Sequence, residues 1–316
     1  VFSLTRQAML MGLSPRAKII FTSGNEEGQI YIPAANWLLM AGTLFTVALF
    51  KTSDSLAAAY GIAVSGTMLA TTLLLYRVAV TLWAWPQAAA IPVIAAFAAI
   101  DATFLVSNSM KIVAGGWFPV VVGATIAVLM LTWRRGASLL RRRLREMSIP
   151  LKDFLDYADK TVIGRAPGVG VWLTKVDDGI SPMLQRHVEH NRVLHETVVL
   201  LSFVPEHRPR VPFGRRHTVV RLGRGFYQIQ SRLGFMQTPD IPLTMYNCRM
   251  LGFDIDIDSK NYYLAHEFVV RRPKDSAMGP VSFAIFSFLS RIASRAPDFF
   301  RIPHDALIEV GFRVEI

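Results

Sequence analysis

Long apolar runs separated by short polar breaks fill the first 133 residues, whereas apolar and charged positions are mixed in the rest. A helix needs about 20 apolar residues to cross the hydrocarbon core of a bilayer. We therefore predict four transmembrane helices, at residues 30–50, 55–76, 88–106 and 112–133. Residues 1–29 hold only one short apolar stretch, 17–22, and this segment is expected to lie along the membrane interface.

Charge divides the chain at the same place. Only six of the 34 Lys and Arg residues and four of the 23 Asp and Glu residues lie before residue 134. Lys and Arg accumulate on the cytoplasmic side of a membrane protein. With four spans, one side carries ten Lys and Arg residues and the other carries only Lys51 and Lys111. Both ends are therefore predicted to be cytoplasmic, in a multi-pass protein of the cell (inner) membrane.

Six arginines follow the last apolar run, in a segment, residues 134–160, that we interpret as a basic juxtamembrane linker. Such clusters attract anionic lipid headgroups. Nucleic-acid binding is the competing explanation for a chain of net charge +11. The position beside the membrane and the lack of interleaved aromatic residues favour lipid and no nucleic acid. The cluster consists of Arg134, Arg135, Arg141, Arg142, Arg143 and Arg145.

Four residues within the predicted helices are candidates for an ion pathway: Tyr60, Ser65, Thr67 and Asp101. Polar and ionisable groups at membrane depth often mark such pathways. Helix packing is the alternative explanation for the second helix, because small residues such as Gly61 and Gly66 let helices approach closely. For Asp101 the alternative is a carboxylate at the outer end of the third helix, wetted by headgroup water. Residue types alone leave these alternatives open.

Residues 161–316 are predicted to form a cytoplasmic α/β domain, because β-branched and aromatic runs bounded by Pro, Gly or charge alternate with helical patterns. Residues 164–170 are predicted to be a proline-broken loop. We predict strands at residues 169–176, 197–204, 217–222, 226–231, 262–270 and 306–316, and helices at 151–158, 183–190, 242–251 and 281–294.

The residue pattern of this tail indicates neither an enzyme nor a cofactor. Three histidines, His187, His190 and His195, lack the spacing and the companion ligands of a zinc site. Three acids, Asp254, Asp256 and Asp258, resemble the opening of a calcium loop, but positions six and twelve hold Ser and Ala where that loop needs Gly and Glu. The single cysteine, Cys248, excludes an internal disulfide.

Several motifs resemble the Kup/HAK/KT family of potassium uptake transporters, in chain order from end to end. They are residues 2–8, residues 28–33 with Asn36 and Trp37, residues 56–67, residues 115–119, residues 190–196, residues 295–298 with Ile302 and Pro303, and residues 314–316. The chain begins at Val1, and we interpret it as the carboxy-terminal fragment of such a protein.

This resemblance implies that the apolar part is membrane all-α, the last four spans of an amino-acid/cation permease with a leucine-transporter-like fold. It also implies potassium uptake, usually coupled to protons, so that K+ and H+ are the transported ions. The family's principal ion site lies in earlier spans, which would be partners of this chain, and a homodimer is possible. From the residues alone, a membrane-anchored sensor is the alternative, in which the helices only tether a cytoplasmic binding domain.

Overall fold

The structure of the chain, a computed structural model, describes residues 1–22, 29–174, 179–206, 208–234, 237–250, 260–271, 277–293 and 300–316. Two units make up the chain. Asn36–Leu131 forms an apolar helical unit, and Val1–Ala35 together with Thr132–Ile316 forms a second unit that carries the main sheet.

The amino-terminal segment contains a short helix and a hairpin. Helix α1 is Phe2–Leu10, and strands β1 (Ile20–Phe21) and β2 (Ile30–Tyr31) pair antiparallel. The prediction of a helix that begins at residue 30 is therefore wrong at its start. Helix α2 (Pro33–Leu49) begins at a proline, which suits the first helical turn because the amide N–H it lacks would have no partner there.

Three helical stretches in the described part of the chain are long and apolar enough to cross a membrane: Ser53–Thr81, Gln87–Ser109 and Ile112–Glu146. The first two are α3 and α4, and the third is a π-helical turn, Ile112–Gly116, followed by α5 (Trp117–Glu146). Helix α2 has only 17 residues, about 26 Å of helix against a hydrocarbon core of about 30 Å. The structure therefore supports three of the four predicted spans by length and composition.

Two glycines explain the turn before α5. A side chain at Gly115 would overlap the carbonyl oxygen of Ser55, and a side chain at Gly116 would overlap Ile62 of α3. The turn therefore packs directly against the first half of α3, and only residues without a side chain allow this approach.

The carboxy-terminal part alternates helices and strands, as predicted. Each predicted strand and helix overlaps an observed one, with ends that differ by a few residues. The elements are α6 (Leu151–Thr161), β3 (Gly164–Leu173), α7 (Pro182–Asn191), β4 (Val193–Glu206), α8 (Phe213–Arg216), β5 (His217–Gly223), β6 (Phe226–Gly234), α9 (Ile241–Met250), β7 (Lys260–Val270), α10 (Pro280–Ile292) and β8 (Leu307–Glu315).

These strands form one six-stranded sheet in the order β5-β6-β4-β3-β7-β8. Strands β6, β4, β3, β7 and β8 are parallel, and β5 is an antiparallel edge strand. The predicted loop at residues 164–170 is wrong, because it is the first half of β3. The pairing with β4 is irregular between Ala166 and Val169, and this bulge accommodates Pro167 and the positive φ of Gly168.

Helices cover both faces of the sheet, which accounts for its apolar strands. One face packs against α6, α7 and α10 around Trp172, Leu200 and Phe312. The other face packs against α9 around Val171, Val199 and Tyr262, and Cys248 is buried there. Side chains of opposite faces alternate along each strand, so adjacent residues such as Val171 and Trp172 belong to different cores.

Residues 134–160, expected to be a linker, instead contribute to this core. Helix α5 continues through the arginines to Glu146, and α6 follows. The apolar residues of this stretch lie three or four positions apart, and Gly136 faces Phe286 of α10 so closely that a side chain would overlap the ring. Phe154 and Ala158 of α6 are buried in the core, and five partly buried residues of α5 and its end pack against it: Trp133, Ala137, Leu140, Leu144 and Met147.

Candidate functional site

Polar side chains are concentrated where α3 and α4 pack together. Buried residues of α3 recur at intervals of three or four positions, a spacing that places them on one face of the helix. They are Ala58, Ala59, Ile62, Ser65 and Ala79, and the partly buried Thr72 lies on the same face. The buried residues of α4 are Ala90, Ile94 and Asp101. We call this contact the α3–α4 seam.

One end of the seam is held by Asn108 of α4. Its Nδ2 donates to the carbonyl oxygen of Gly61 at 3.2 Å and lies 3.5 Å from Oγ of Ser65. Ser65 in turn donates to the same Gly61 carbonyl at 2.7 Å. A Cβ at Gly61 would lie 2.7 Å from Oδ1 of Asn108. The absent side chain of Gly61 therefore makes room for the Asn108 amide.

The other polar contact in the seam joins Thr72 to Asp101. The Thr72 hydroxyl donates to Oδ2 of Asp101 at 2.5 Å, and Asp101 is only 6% exposed. Asp101 lies eight residues before α4 ends at Ser109, and whether its carboxylate borders an ion pathway or meets headgroup water stays a prediction. A buried carboxylate in an apolar helix is costly unless it is paired or neutralised. Thr72 alone donates to it among the described residues.

The seam contains two of the four candidates and excludes the other two. Tyr60 is 71% exposed, and Thr67 is also exposed. Together with Thr71 they form a stripe on the face of α3 away from the seam, because residues 60, 67 and 71 recur at helical spacing. The hydroxyl groups of Thr67 and Thr71 donate to the carbonyl oxygens of Ala63 and Thr67, both at 2.8 Å. We call Tyr60, Thr67 and Thr71 the hydroxyl stripe.

Sequence reasoning missed Thr72 and Asn108, and it treated Gly66 like Gly61. A Cβ at Gly66 would meet no atom of the described residues within 4 Å, so packing among these residues does not require that glycine. The missed residues did carry a signal. Thr72 lies seven positions after Ser65, and Asn108 lies seven positions after Asp101, so each pair shares a helix face.

The arginine cluster at the end of α5 is partly neutralised within its own helix. Nε of Arg142 and Nη1 of Arg143 contact the two carboxylate oxygens of Glu146 at 2.9 and 2.8 Å. The hydrogen bonds from these two guanidinium groups lower the pKa of Glu146. Arg135 donates to the carbonyl oxygen of Ala277 at 2.8 Å. The arginines thus serve local packing as well as any contact with lipid.

Two of the three candidate histidines, His187 and His195, belong to an aromatic cluster, and the third, His190, is exposed. The rings of Trp172 and Tyr263 stack 3.9 Å apart, and His187 contacts both rings edge-on. His195 lies 3.1 Å from Nδ2 of Asn261 through its Nε2. Burial lowers the pKa of both His187 and His195. The described residues contain no group of three potential metal ligands, and residues 254, 256 and 258 lie outside them.

Comparison with known proteins covers almost the whole chain. Residues 1–138 match the family described as the K+ potassium transporter integral membrane domain, and residues 167–316 match the K+ potassium transporter C-terminal domain. No solved structure matches the chain.

Three curated relatives are similar to the chain from end to end. The probable potassium transport system protein Kup of Myxococcus xanthus and the probable protein Kup 1 of Geobacter sulfurreducens are each 41% identical to it, over 48% and 50% of their own lengths. The probable protein Kup 1 of Paramagnetospirillum magneticum is 43% identical over 49% of its length. All three alignments cover 100% of this chain. The chain therefore spans about half the length of the curated relatives it matches.

Both domain matches occur in chain order, and the apolar helices coincide with the membrane domain. With end-to-end identity of about 40% to Kup proteins, they show that the chain belongs to the Kup family of potassium transporters, which are membrane transporters and not enzymes.

Proposed function

We propose that this chain acts in potassium uptake across the cytoplasmic membrane, as the carboxy-terminal half of a Kup-type transporter. The observation that carries the proposal is its end-to-end similarity, at 41–43% identity, to three proteins named as potassium transport proteins. K+ is the transported ion, and the proposal requires no cofactor. The principal potassium site is assigned to the other half, in a permease-type fold, as the family resemblance implies.

The two polar faces of α3 have different roles in this proposal. In the seam, Asn108 of α4 donates to Gly61 and Ser65 of α3, so we propose that this face holds α3 in place as a scaffold. The hydroxyl stripe lies on the opposite, exposed face. Apolar side chains suit contact with lipid better than these hydroxyl side chains do. We infer that Tyr60 and Thr67 face the other spans of the transporter and border the ion pathway.

Asp101 is the proposed group for proton coupling in this half. Its carboxylate is buried in the seam with one hydroxyl donor. A proton bound to the Asp101 carboxylate would remove the cost of a buried charge in the membrane. When the proton leaves, the Thr72 hydroxyl is placed to donate to the charged carboxylate. Substitution of Asp101 therefore tests whether uptake of K+ is coupled to uptake of H+.

The proposed topology places both ends of the chain in the cytoplasm, with the apolar helices in the membrane and the sheet domain, including α6 and the arginine-bearing end of α5, on the cytoplasmic side. Ten of the twelve Lys and Arg residues that bear on orientation support it. Arg134, Arg141 and Arg145 lie on one side of α5, since they are seven and four positions apart. We propose that this side contacts anionic lipid headgroups.

Growth of a potassium-uptake-deficient bacterium on limiting potassium tests the function. The strain would carry this chain alone, the Myxococcus xanthus relative, or a chimera in which this chain replaces the matching half of that relative. We expect the chimera to restore growth and the chain alone to fail. In the chimera, Tyr60→Phe should weaken uptake, and Asp101→Asn should flatten the dependence of uptake on external pH.

Two outcomes would contradict the proposal. If the chimera reaches the membrane but does not restore growth, the potassium assignment is lost and the membrane-anchored sensor becomes the better explanation. That alternative has no support from the comparisons, which match the helices themselves to a transporter domain. If the chain alone restores growth, the ion site lies within these helices, and Tyr60, Ser65, Thr67 and Asp101 are the first ligands to test.

A further inference from the structure

Helix α10 has two apolar faces, and only one of them packs against the sheet domain. Phe286 and Leu289 on the inner face are buried. On the outer face, Val281, Phe288 and Ile292 are exposed over 71%, 62% and 61% of their surface. These three positions share a helix face because they are seven and four residues apart. We call this outer face the α10 stripe, and it consists of Val281, Ala284, Phe288 and Ile292.

The composition of α10 indicates what kind of surface the stripe contacts. Exposed apolar patches on a folded domain mark contacts with a membrane or with another protein. Helix α10 has 13 residues, fewer than the roughly 20 that cross a bilayer. It contains no acidic residue, and its one charged residue, Arg291, is exposed three positions after Phe288. An apolar stripe flanked by positive charge is typical of a helix that lies in a membrane interface.

The contact between α10 and α5 favours the membrane as this surface. The ring centroids of Phe286 and Trp133 are 5.3 Å apart, and Gly136 leaves room for the same Phe286 ring. Arg135 holds the segment before α10, because it donates to the carbonyl oxygen of Ala277 at 2.8 Å. The apolar run of α5 ends at Trp133, so in the proposed topology this contact lies within about one helical turn, about 5 Å, of the hydrocarbon. That depth is the headgroup layer, which is about 5–7 Å thick.

We propose that α10 lies in the headgroup layer of the cytoplasmic leaflet and that the α10 stripe inserts between the lipid acyl chains. Arg134 of α5 and Arg291 of α10 are then placed at the depth of the lipid phosphates. The sheet domain is thereby held against the membrane at a second point besides α5. This proposal rests on the topology given under the proposed function and not on potassium uptake.

Helix α9 provides a contrast within the same domain. It also exposes a large apolar side chain, Leu243, over 51% of its surface. Helix α9 packs on the opposite face of the sheet, however, whereas α5 and α10 share a core on the first face. We therefore expect lipid contact at the α10 stripe and none at Leu243, although both positions are exposed and apolar.

Fluorescence quenching by lipid tests the insertion in the full chain, reconstituted in vesicles of phosphatidylglycerol and phosphatidylcholine with brominated acyl chains. A fluorophore is attached at Val281→Cys, at Leu243→Cys or at Val128→Cys, which lies in the apolar run of α5 and is exposed. Cys248 is buried, so the label reacts with the introduced thiol. The brominated lipid should quench the probes at 281 and 128, and it should leave the probe at 243 bright.

Phe288 variants show whether the stripe itself inserts. With the probe at 281, Phe288→Glu should shift α10 from lipid towards water by at least about tenfold, because burial of one Phe side chain contributes that much. Phe288→Leu should keep the quenching, and neither variant should change the melting temperature, since Phe288 is exposed on the domain.

Three results would overturn the proposal. If the probe at 128 is quenched but the probe at 281 behaves like the one at 243, the topology stands and the insertion does not occur. Shielding of that unquenched 281 probe from acrylamide in the water would then mean that a second copy or another protein covers the stripe. If the probes at 128 and 281 both stay bright, the topology is wrong as well. Unchanged quenching in Phe288→Glu would show that the stripe does not carry the contact.

Discussion

Gly61 offers the sharpest test of the α3–α4 seam, because a second glycine in the same helix is its control. Gly61→Ala places a methyl group 2.7 Å from Oδ1 and 3.0 Å from Cγ of Asn108, whereas Gly66→Ala meets no atom within 4 Å. The two substitutions change the same helix by the same atom. Any difference between them therefore measures the contact with α4.

The size of the effect follows from what Asn108 must give up. Its amide is the end of a short side chain and can turn away, but it then loses its contacts with Gly61 and Ser65 at 3.2 and 3.5 Å. Interhelical hydrogen bonds in membranes contribute about 0.6 kcal/mol each on average. Gly61→Ala should therefore lower the free energy of unfolding by about 1 kcal/mol relative to Gly66→Ala. Gly61→Leu should cost about 1–3 kcal/mol more through overpacking.

Unfolding of the purified chain in mixed micelles, titrated with a denaturing detergent, measures these differences. Gly66→Ala should be at least as stable as the parent, because alanine favours the helix by up to about 1 kcal/mol. Asn108→Ala should already lose the contact, so adding Gly61→Ala to it should cost little. Equal stability of Gly61→Ala and Gly66→Ala, or full additivity of Gly61→Ala and Asn108→Ala, would refute this account of the seam.

Three further predictions concern single side chains. Thr72→Val should lower the free energy of unfolding by roughly 0.6–1.7 kcal/mol in the same titration, and Thr71→Val, whose hydroxyl bonds its own helix, should not. Burial, and to a smaller extent the Arg216 charge, lower the pKa of His217 from 6.5 to about 4. Between these two pH values the unfolded state binds the proton and the folded state does not, so the melting temperature should fall as the pH drops from 6.5 towards 4. In His217→Gln the melting temperature should depend less on pH over this range. Burial raises the pKa of the Cys248 thiol to about 11, so a thiol reagent should react with it only as the protein unfolds, and immediate reaction at neutral pH would contradict the packing of α9.

Much of the tail fold could be predicted because its signals are local. Strands such as β4 and β7 are runs of β-branched and aromatic residues, bounded by Pro, Gly or charged residues. The error at residues 164–170 arose because Pro167 and Gly168 normally interrupt a strand, and only pairing with β4 on both sides of a bulge keeps them in one. Such pairing depends on residues far away in the chain, which local patterns do not reveal.

The seam was harder to predict for a related reason. Tyr60, Ser65 and Thr67 look equivalent in the sequence, because each is a hydroxyl residue in an apolar run. What separates Ser65 from the others is its place opposite Asn108, and that depends on how two helices are rotated against each other. The end of the third predicted helix, at 106, was three residues short of Ser109, because residues 107–109 are polar or small and carry no apolar signal.

The last prediction concerns where the cytoplasmic domain begins. The start of the charged residues is a poor guide to this boundary. Charge begins at Arg134, but the apolar residues of α5 continue at helical spacing through Trp133, Leu140 and Leu144, and they pack in the same core as Phe286. Burying one large apolar side chain contributes about 1.5–3 kcal/mol, so these partly buried residues together contribute roughly 3 kcal/mol. A chain of residues 132–316 should therefore melt cooperatively at a clearly higher temperature than one of residues 148–316, by circular dichroism. Gly136→Leu, which would overlap the Phe286 ring, should lower the melting temperature of the longer chain towards that of the shorter one. Equal melting temperatures of the two chains would mean that the second half of α5 does not stabilise the domain, and that the boundary drawn from charge is the physical one.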